Sequence, residues 1–96
     1  MKIVLQPHLK IRLKQREIPP DYPSQIFSQP DNQYLDTLSN HQIAVKKLKY
    51  NGKLRPMAIA YDIIKYEIQI ITVYPVTDQE ISNRIKRRRW IRYEKN

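Results

Sequence analysis

The chain has 96 residues, 18 Lys and Arg against 9 Asp and Glu for a formal charge of +9, and no cysteine. That length holds one small core and excludes a two-domain protein or a large cofactor-binding enzyme. The missing thiols exclude thiol catalysis, disulfides and Cys-ligated zinc, and two histidines leave little material for any metal site, so no metal or cofactor is expected.

Residues 1–96 are expected to form a single domain. The run Lys2-Ile3-Val4-Leu5 is too short for the apolar region of a signal peptide, and no later stretch reaches the roughly 20 apolar residues that span a bilayer. The expectation is a cytoplasmic protein with no membrane partner. Pro7 sits where a first helical turn begins, and residues 8–17 carry Leu9 and Leu13 four apart, which predicts a short helix. The segment Ile18–Phe27 is punctuated by proline and predicts a turn followed by one or two helical turns before Pro30.

From residue 33 the apolar period shortens to two, at Ile43 and Val45, Leu48 and Tyr50, Met57, Ile59 and Tyr61, then Tyr66, Ile68 and Ile70. This predicts an antiparallel sheet of three or four strands over about residues 33–74. The phase slips at Lys46-Lys47, which suggests a bulge, and Asn51-Gly52 is a type I′ hairpin signal. Pro56 cannot donate to a ladder and is expected at a strand start or a sheet edge. Residues 64–74 form the longest strand candidate, apolar on both sides at Ile70–Val73 as in a mid-sheet strand. Thr77-Asp78-Gln79-Glu80 has capping-box spacing and opens a C-terminal helix with Ile81 and Ile85 inward. The same side continues into Arg88 and Arg92, so the helix turns basic. The fold class is α+β: a short N-terminal helical segment, an antiparallel sheet and a C-terminal basic helix.

Charge lies in blocks: residues 1–17, 46–60 and 81–96 are basic, and 18–45 and 61–80 are acidic. Such a balance favours phosphate-bearing partners or an acidic protein. Three constellations carry possible chemistry. His8, Arg12 and Arg16, spaced by four, share one side of a helix, where imidazole can move a proton and guanidiniums can hold a phosphate; an ordinary solvated helix has the same pattern. Thr72 and Tyr74 point to one side of a strand end, where a phenol can stack on a base or meet a phosphate, although a strand-end Tyr is more often half-buried packing. Arg84, Arg87 and Arg88 with Trp90 combine charge and a stacking ring, as single-stranded nucleic-acid binders do.

The order His8-x3-Arg12-x3-Arg16-Glu17-Ile18, then a proline-flanked helix, a strand meander and Ile71-Thr72-Val73-Tyr74-Pro75, resembles the small toxins of the RelE/ParE/BrnT superfamily. The end of the chain, Ile81-Ser82-Asn83-Arg84 followed by Trp90-Ile91-Arg92-Tyr93-Glu94, is similar to the closing helix of BrnT toxins. The chain departs from that pattern at Asn83, where Ala is usual, and at Pro19-Pro20, where a capped second helix would start. The resemblance implies the toxin component of a toxin–antitoxin system: a metal-independent mRNA endoribonuclease, acting on free or ribosome-bound RNA and held by an acidic antitoxin. It implies catalytic roles for His8, Arg12, Arg16 and Arg84 and RNA contacts at Thr72 and Tyr74. The expected site is a basic cleft between the first helix, the sheet and the C-terminal helix, covered in the inhibited state by the antitoxin there or on an edge strand near Pro56. A non-catalytic nucleic-acid-binding module and a basic interaction protein for an acidic partner are the competing readings.

Overall fold

The computed structural model describes residues 2–93 and has, among them, three helices and one open sheet of six strands. In chain order these are β1 (Lys2–Leu5), α1 (Pro7–Gln15), α2 (Tyr22–Ser28), β2 (Asn32–Asp36), β3 (Gln42–Tyr50), β4 (Lys53–Ile64), β5 (Glu67–Pro75), α3 (Asp78–Lys86) and β6 (Trp90–Arg92). Glu94, part of the resemblance above, lies outside the described residues. The strand order is β1-β5-β4-β3-β2-β6, with β1 parallel to β5 and the other neighbours antiparallel. The architecture is α+β as expected, but the sheet is larger than three or four strands and mixed rather than antiparallel. No described helix is long and apolar enough to cross a membrane.

The hairpin sets the register. Asn51 and Gly52 both take positive φ, 52° and 75°, and Tyr50 pairs with Lys53 across them. Pairing then runs without a shift from Tyr50↔Lys53 to Gln42↔Tyr61, so Lys46-Lys47 is no bulge. The slip in hydrophobic phase there is a change of buried side: Ile43 and Val45 face one core, Leu48 and Tyr50 the other. Alternation outward from the two-residue turn puts Pro56 at a non-hydrogen-bonded pair with Lys47, so its missing N–H faces away from β3. On that other side β5 has already ended, its last partner being Met57, and the Val76 N–H donates to the Pro56 carbonyl at 2.9 Å. Pro56 therefore sits in an interior strand, and the true edges are β1 and β6.

The bulge lies instead between β4 and β5, where Tyr61 pairs with Ile70 but Ala60 pairs with Thr72. Ile71 is the extra residue, and it re-phases the strand. Ile68, Ile70 and Val73 all face one core while Tyr74 turns to the other. The strand candidate at 64–74 is also interrupted, because Lys65 takes φ 56° and the chain turns there between β4 and β5. The longest strand is β4, with 12 residues.

The two sides of the sheet carry separate cores. α1 contributes Leu9 and Leu13, and α2 contributes Ile26, to a cluster with Ile18, Ala44, Met57, Ile59, Tyr61, Ile68, Ile70 and Val73. On the opposite side Tyr34, Ile43, Val45, Ala58, Ala60, Val76 and Trp90 cluster under Ile81 of α3. Pro19-Pro20 does not prevent the second helix; it precedes α2, which starts with Pro23 in its first turn. The capping box of α3 is present, with Glu80 N–H to Thr77 Oγ1 and Thr77 N–H to Glu80 Oε1 both at 3.0 Å.

Two helices end without glycine. After α3, Arg88 takes φ 57° while Arg89 N–H donates to the Arg84 carbonyl and Arg88 N–H to that of Ile85. After α1, Glu17 takes φ 55° with Ile18 N–H on the Leu13 carbonyl and Glu17 N–H on that of Lys14. Both are Schellman stops with a side chain where Gly is usual, so α3 stops at Lys86 and the basic helix does not continue through Arg88 and Arg92. Glu17 is exposed and holds a left-handed conformation that costs a non-glycine residue about 1 kcal/mol. Glu17→Gly should therefore stabilise the fold by about 1 kcal/mol, read as a higher denaturant midpoint with unchanged slope.

Candidate nucleic-acid interface

The side of the sheet covered by α3 is built around one buried carboxylate. Asp36, 5% exposed at the end of β2, accepts at Oδ1 from the N–H groups of Leu38 (2.9 Å) and Ser39 (3.1 Å) and from Arg89 Nε (3.3 Å). Its Oδ2 accepts from the Trp90 indole at 3.2 Å. Burial alone would raise the Asp36 carboxyl; the Ser39 N–H, Arg89, the Leu38 N–H and Trp90 outweigh it, so the group is held below its ordinary value. Trp90 is thereby fixed, with its ring stacked on Tyr34 at 5.2 Å and the Arg84 guanidinium 4.8 Å from its centroid. One Arg84 amino nitrogen, Nη1, is buried with no hydrogen-bond acceptor among the described residues.

Tyr74 comes to this same side through the Ile71 bulge, and Thr72, two residues before it, shares that side. Burial pushes the Tyr74 phenol up, and neighbouring Arg84 opposes the shift only in part. It is thus a neutral hydrogen-bonding group and not a base at physiological pH.

Arg84, Thr72, Tyr74 and Trp90 share one side of the sheet, with Arg87 and Arg88 exposed in the turn that follows α3. His8, Arg12 and Arg16 do not join them. They are exposed on α1, whose Leu9 and Leu13 pack on the other side of the sheet. Arg16 leans back onto β5, donating from Nη1 to the Val73 carbonyl at 3.4 Å. A single cleft between the first helix, the sheet and the C-terminal helix is therefore ruled out: the sheet stands between α1 and α3, and Arg84 cannot share one phosphate with Arg12 and Arg16. Trp90 is also corrected as a base-stacking ring, since it is 1% exposed and both its neighbours are the protein's own.

Two features escape inspection of the sequence. Asp36 reads as an ordinary turn residue, because its partners Arg89 and Trp90 lie more than fifty positions away. His41 Nδ1 and Asp62 Oδ1 lie 2.8 Å apart on the α3 side. The signal for that pair is the hairpin itself: counting nine residues outward from Tyr50 and from Lys53 reaches His41 and Asp62. Among the described residues no three His, Asp or Glu side chains gather as metal ligands would. Comparison with known protein families, with curated proteins and with solved structures finds no match for this chain.

Removing the Asp36 charge should loosen this arrangement. Asp36→Asn is expected to cost about 2 kcal/mol at neutral pH, because one buried donor loses a good acceptor. A carboxyl lowered in the fold contributes stability above its unfolded value, and that stability is lost as pH falls through the folded value. The gap between wild-type and Asp36→Asn denaturation midpoints should therefore be full above about pH 5 and narrow as pH falls below about 4, near the unfolded value of an Asp.

Proposed function

We propose that the chain is an RNA-directed toxin, an endoribonuclease of the toxin–antitoxin kind that acts on mRNA in the cytoplasm and presents its α3 side to the RNA. The observation that carries this reading is the fixed guanidinium of Arg84, stacked on Trp90 and next to Tyr74, with Arg87, Arg88 and Arg92 exposed in the segment that follows α3. A planar, already ordered guanidinium loses little freedom on meeting a phosphate and can stabilise charge as it develops on phosphorus. Thr72 and neutral Tyr74 add hydroxyl groups suited to a sugar or phosphate oxygen. The wider field of +9 draws a polyanion to the molecule.

The basic residues of α1 then have a different use. His8, Arg12 and Arg16 lie along one flank of its buried Leu9–Leu13 stripe and Lys10 and Lys14 along the other, where a groove of about 570 Å³ is lined by Leu5, Leu13, Ile18, Pro19 and Pro20 with Lys10, Lys14 and Glu17 at its rim. An acidic amphipathic segment of an antitoxin suits such a surface, its apolar residues in the groove and its carboxylates on the lysines. This takes the place of an edge strand near Pro56 as the inhibitor's seat.

Single-stranded RNA incubated with the purified chain at low salt should be cut, and Arg84→Ala should lower the rate about a hundredfold, the usual cost of one transition-state donor. Arg12→Ala and Arg16→Ala should change the rate by no more than severalfold, and Lys10→Ala with Lys14→Ala should leave the rate alone and weaken capture of an acidic protein encoded beside the chain. RNA bound with steep salt dependence but left intact would favour the non-catalytic binding module. A chain that neither binds nor cuts RNA would overturn the reading.

A further inference from the structure

We infer that His41 and Asp62 form the acid–base pair of a phosphodiester-cutting site on the α3 side, with His41 moving the proton and Asp62 positioning it. The inference rests on the reading of the chain as an RNA-cutting protein and replaces His8 as the group that handles the proton.

Strand register builds the pair. Positions alternate outward from the Asn51-Gly52 turn, and the pairing that ends at Gln42↔Tyr61 places His41 opposite Asp62 at a non-hydrogen-bonded position. Side chains approach each other most closely at such positions, about 4.5–5.5 Å between Cβ atoms. The carboxylate of Asp62 only accepts, so Nδ1 of His41 carries the hydrogen it donates, and in the neutral imidazole the lone pair is on Nε2. About a third of each side chain is exposed, 33% for His41 and 35% for Asp62, so the ring is held by its partner yet open to a substrate.

The surroundings leave His41 to Asp62 alone. Asp36 is the nearest other acid along the sheet, its N–H donating to the His41 carbonyl at 2.9 Å, but its carboxylate is committed to Leu38, Ser39, Arg89 and Trp90. Gln69, opposite Asp62 on β5, is held by Gln6 and Glu67. His8, by contrast, is exposed on α1 and has no hydrogen-bond partner among the described residues to set its tautomer. As a contribution to stability a part-exposed ion pair is worth little, about 0–1 kcal/mol. Its position two residues outward from Ile43 and Ala60 nevertheless puts it on the side that carries Thr72, Tyr74 and Arg84.

The step balances without any group beyond the RNA and water. The 2′ oxygen bonds to the adjacent phosphorus as its proton passes to His41 Nε2. The bond from phosphorus to the 5′ oxygen breaks, and that oxygen takes a proton from water. His41 then returns its proton to solvent, leaving a 2′,3′-cyclic phosphate and a 5′-hydroxyl end.

The test uses the full chain, a single-stranded RNA oligonucleotide and its 2′-O-methyl analogue. Wild type should yield cyclic-phosphate ends from the RNA and none from the analogue. His41→Ala should lower kcat by a hundredfold to ten-thousandfold with KM within about twofold, and added imidazole should restore part of the rate. Asp62→Asn should lower kcat with KM unchanged and gain nothing from imidazole. His41→Gln, closer in shape, should be as inactive as His41→Ala with a wild-type melting midpoint, which separates lost chemistry from lost fold. If wild type cuts and the folded His41 variants cut at its rate, the assignment fails while the RNA-cutting reading stands. Loss confined to KM would also overturn it, by making His41 a binding group. A wild-type chain that binds RNA but never cuts it would overturn both.

Discussion

The Asp36 carboxylate organises the side of the molecule that carries Trp90, Arg84 and Tyr74. It closes the turn after β2 through two backbone amides, and it holds Arg89 and the indole of Trp90 from the far end of the chain. β6 is only three residues long and pairs with β2 alone, so its backbone ladder is too small to hold a bulky ring in place by itself. The anchor acts from the side. Once the ring is set against Tyr34, Arg84 has a surface to lie on, and the guanidinium acquires a position instead of a range of rotamers. A buried charge is costly unless its lone pairs are met, and here four donors meet them. Asp36 thus sets the position of the Arg84 guanidinium through Trp90, and in the proposed reading it supports RNA recognition indirectly.

The second constraint is the single extra residue in β5. Strict alternation from Ile70 would carry Thr72 and Tyr74 to the side packed by α1 and α2. The Ile71 bulge sends them to the α3 side and returns Val73 to the helical core. One inserted residue thereby decides which surface receives the phenol, and it divides a chain of 96 residues into two chemically different sides. One is basic helix over an apolar core that includes Phe27 and Tyr61, and the other carries the fixed arginine, Tyr74 and the His41–Asp62 pair.

Much of the fold was legible because its signals are local. Asn51-Gly52 announces its turn type, Thr77 and Glu80 announce a helix start, and Leu9 with Leu13 announces the buried side of α1. The helix ends were not, since Glu17 and Arg88 occupy positions where glycine is the usual mark. The turn at Lys65 was hidden for the same reason. β1 and β6 were missed because four and three residues show no period; they are strands only because longer neighbours offer them a ladder. The candidate site suffered more. Four-residue spacing correctly aligned His8, Arg12 and Arg16 on α1, but spacing along one helix says nothing about which side of a sheet the helix covers. The His41–Asp62 pair was within reach of sequence reasoning, because a two-residue hairpin fixes every opposite position by counting, provided no bulge intervenes. A bulge assumed at Lys46-Lys47 would have broken that count.

Among the described residues both edges of the sheet are formed by the first and the last strand in chain order, and this shapes how the sheet is assembled. The β2–β5 meander joins neighbours through short turns and can form as each strand leaves the ribosome. β1 is synthesised first, yet its partner β5 begins some 65 residues later, since Lys2 pairs with Glu67. Contacts of such long separation form slowly, after the local hairpins have narrowed the search. β1 must therefore wait, unpaired, until β5 has left the ribosome, and β6 completes the opposite edge on β2 later still.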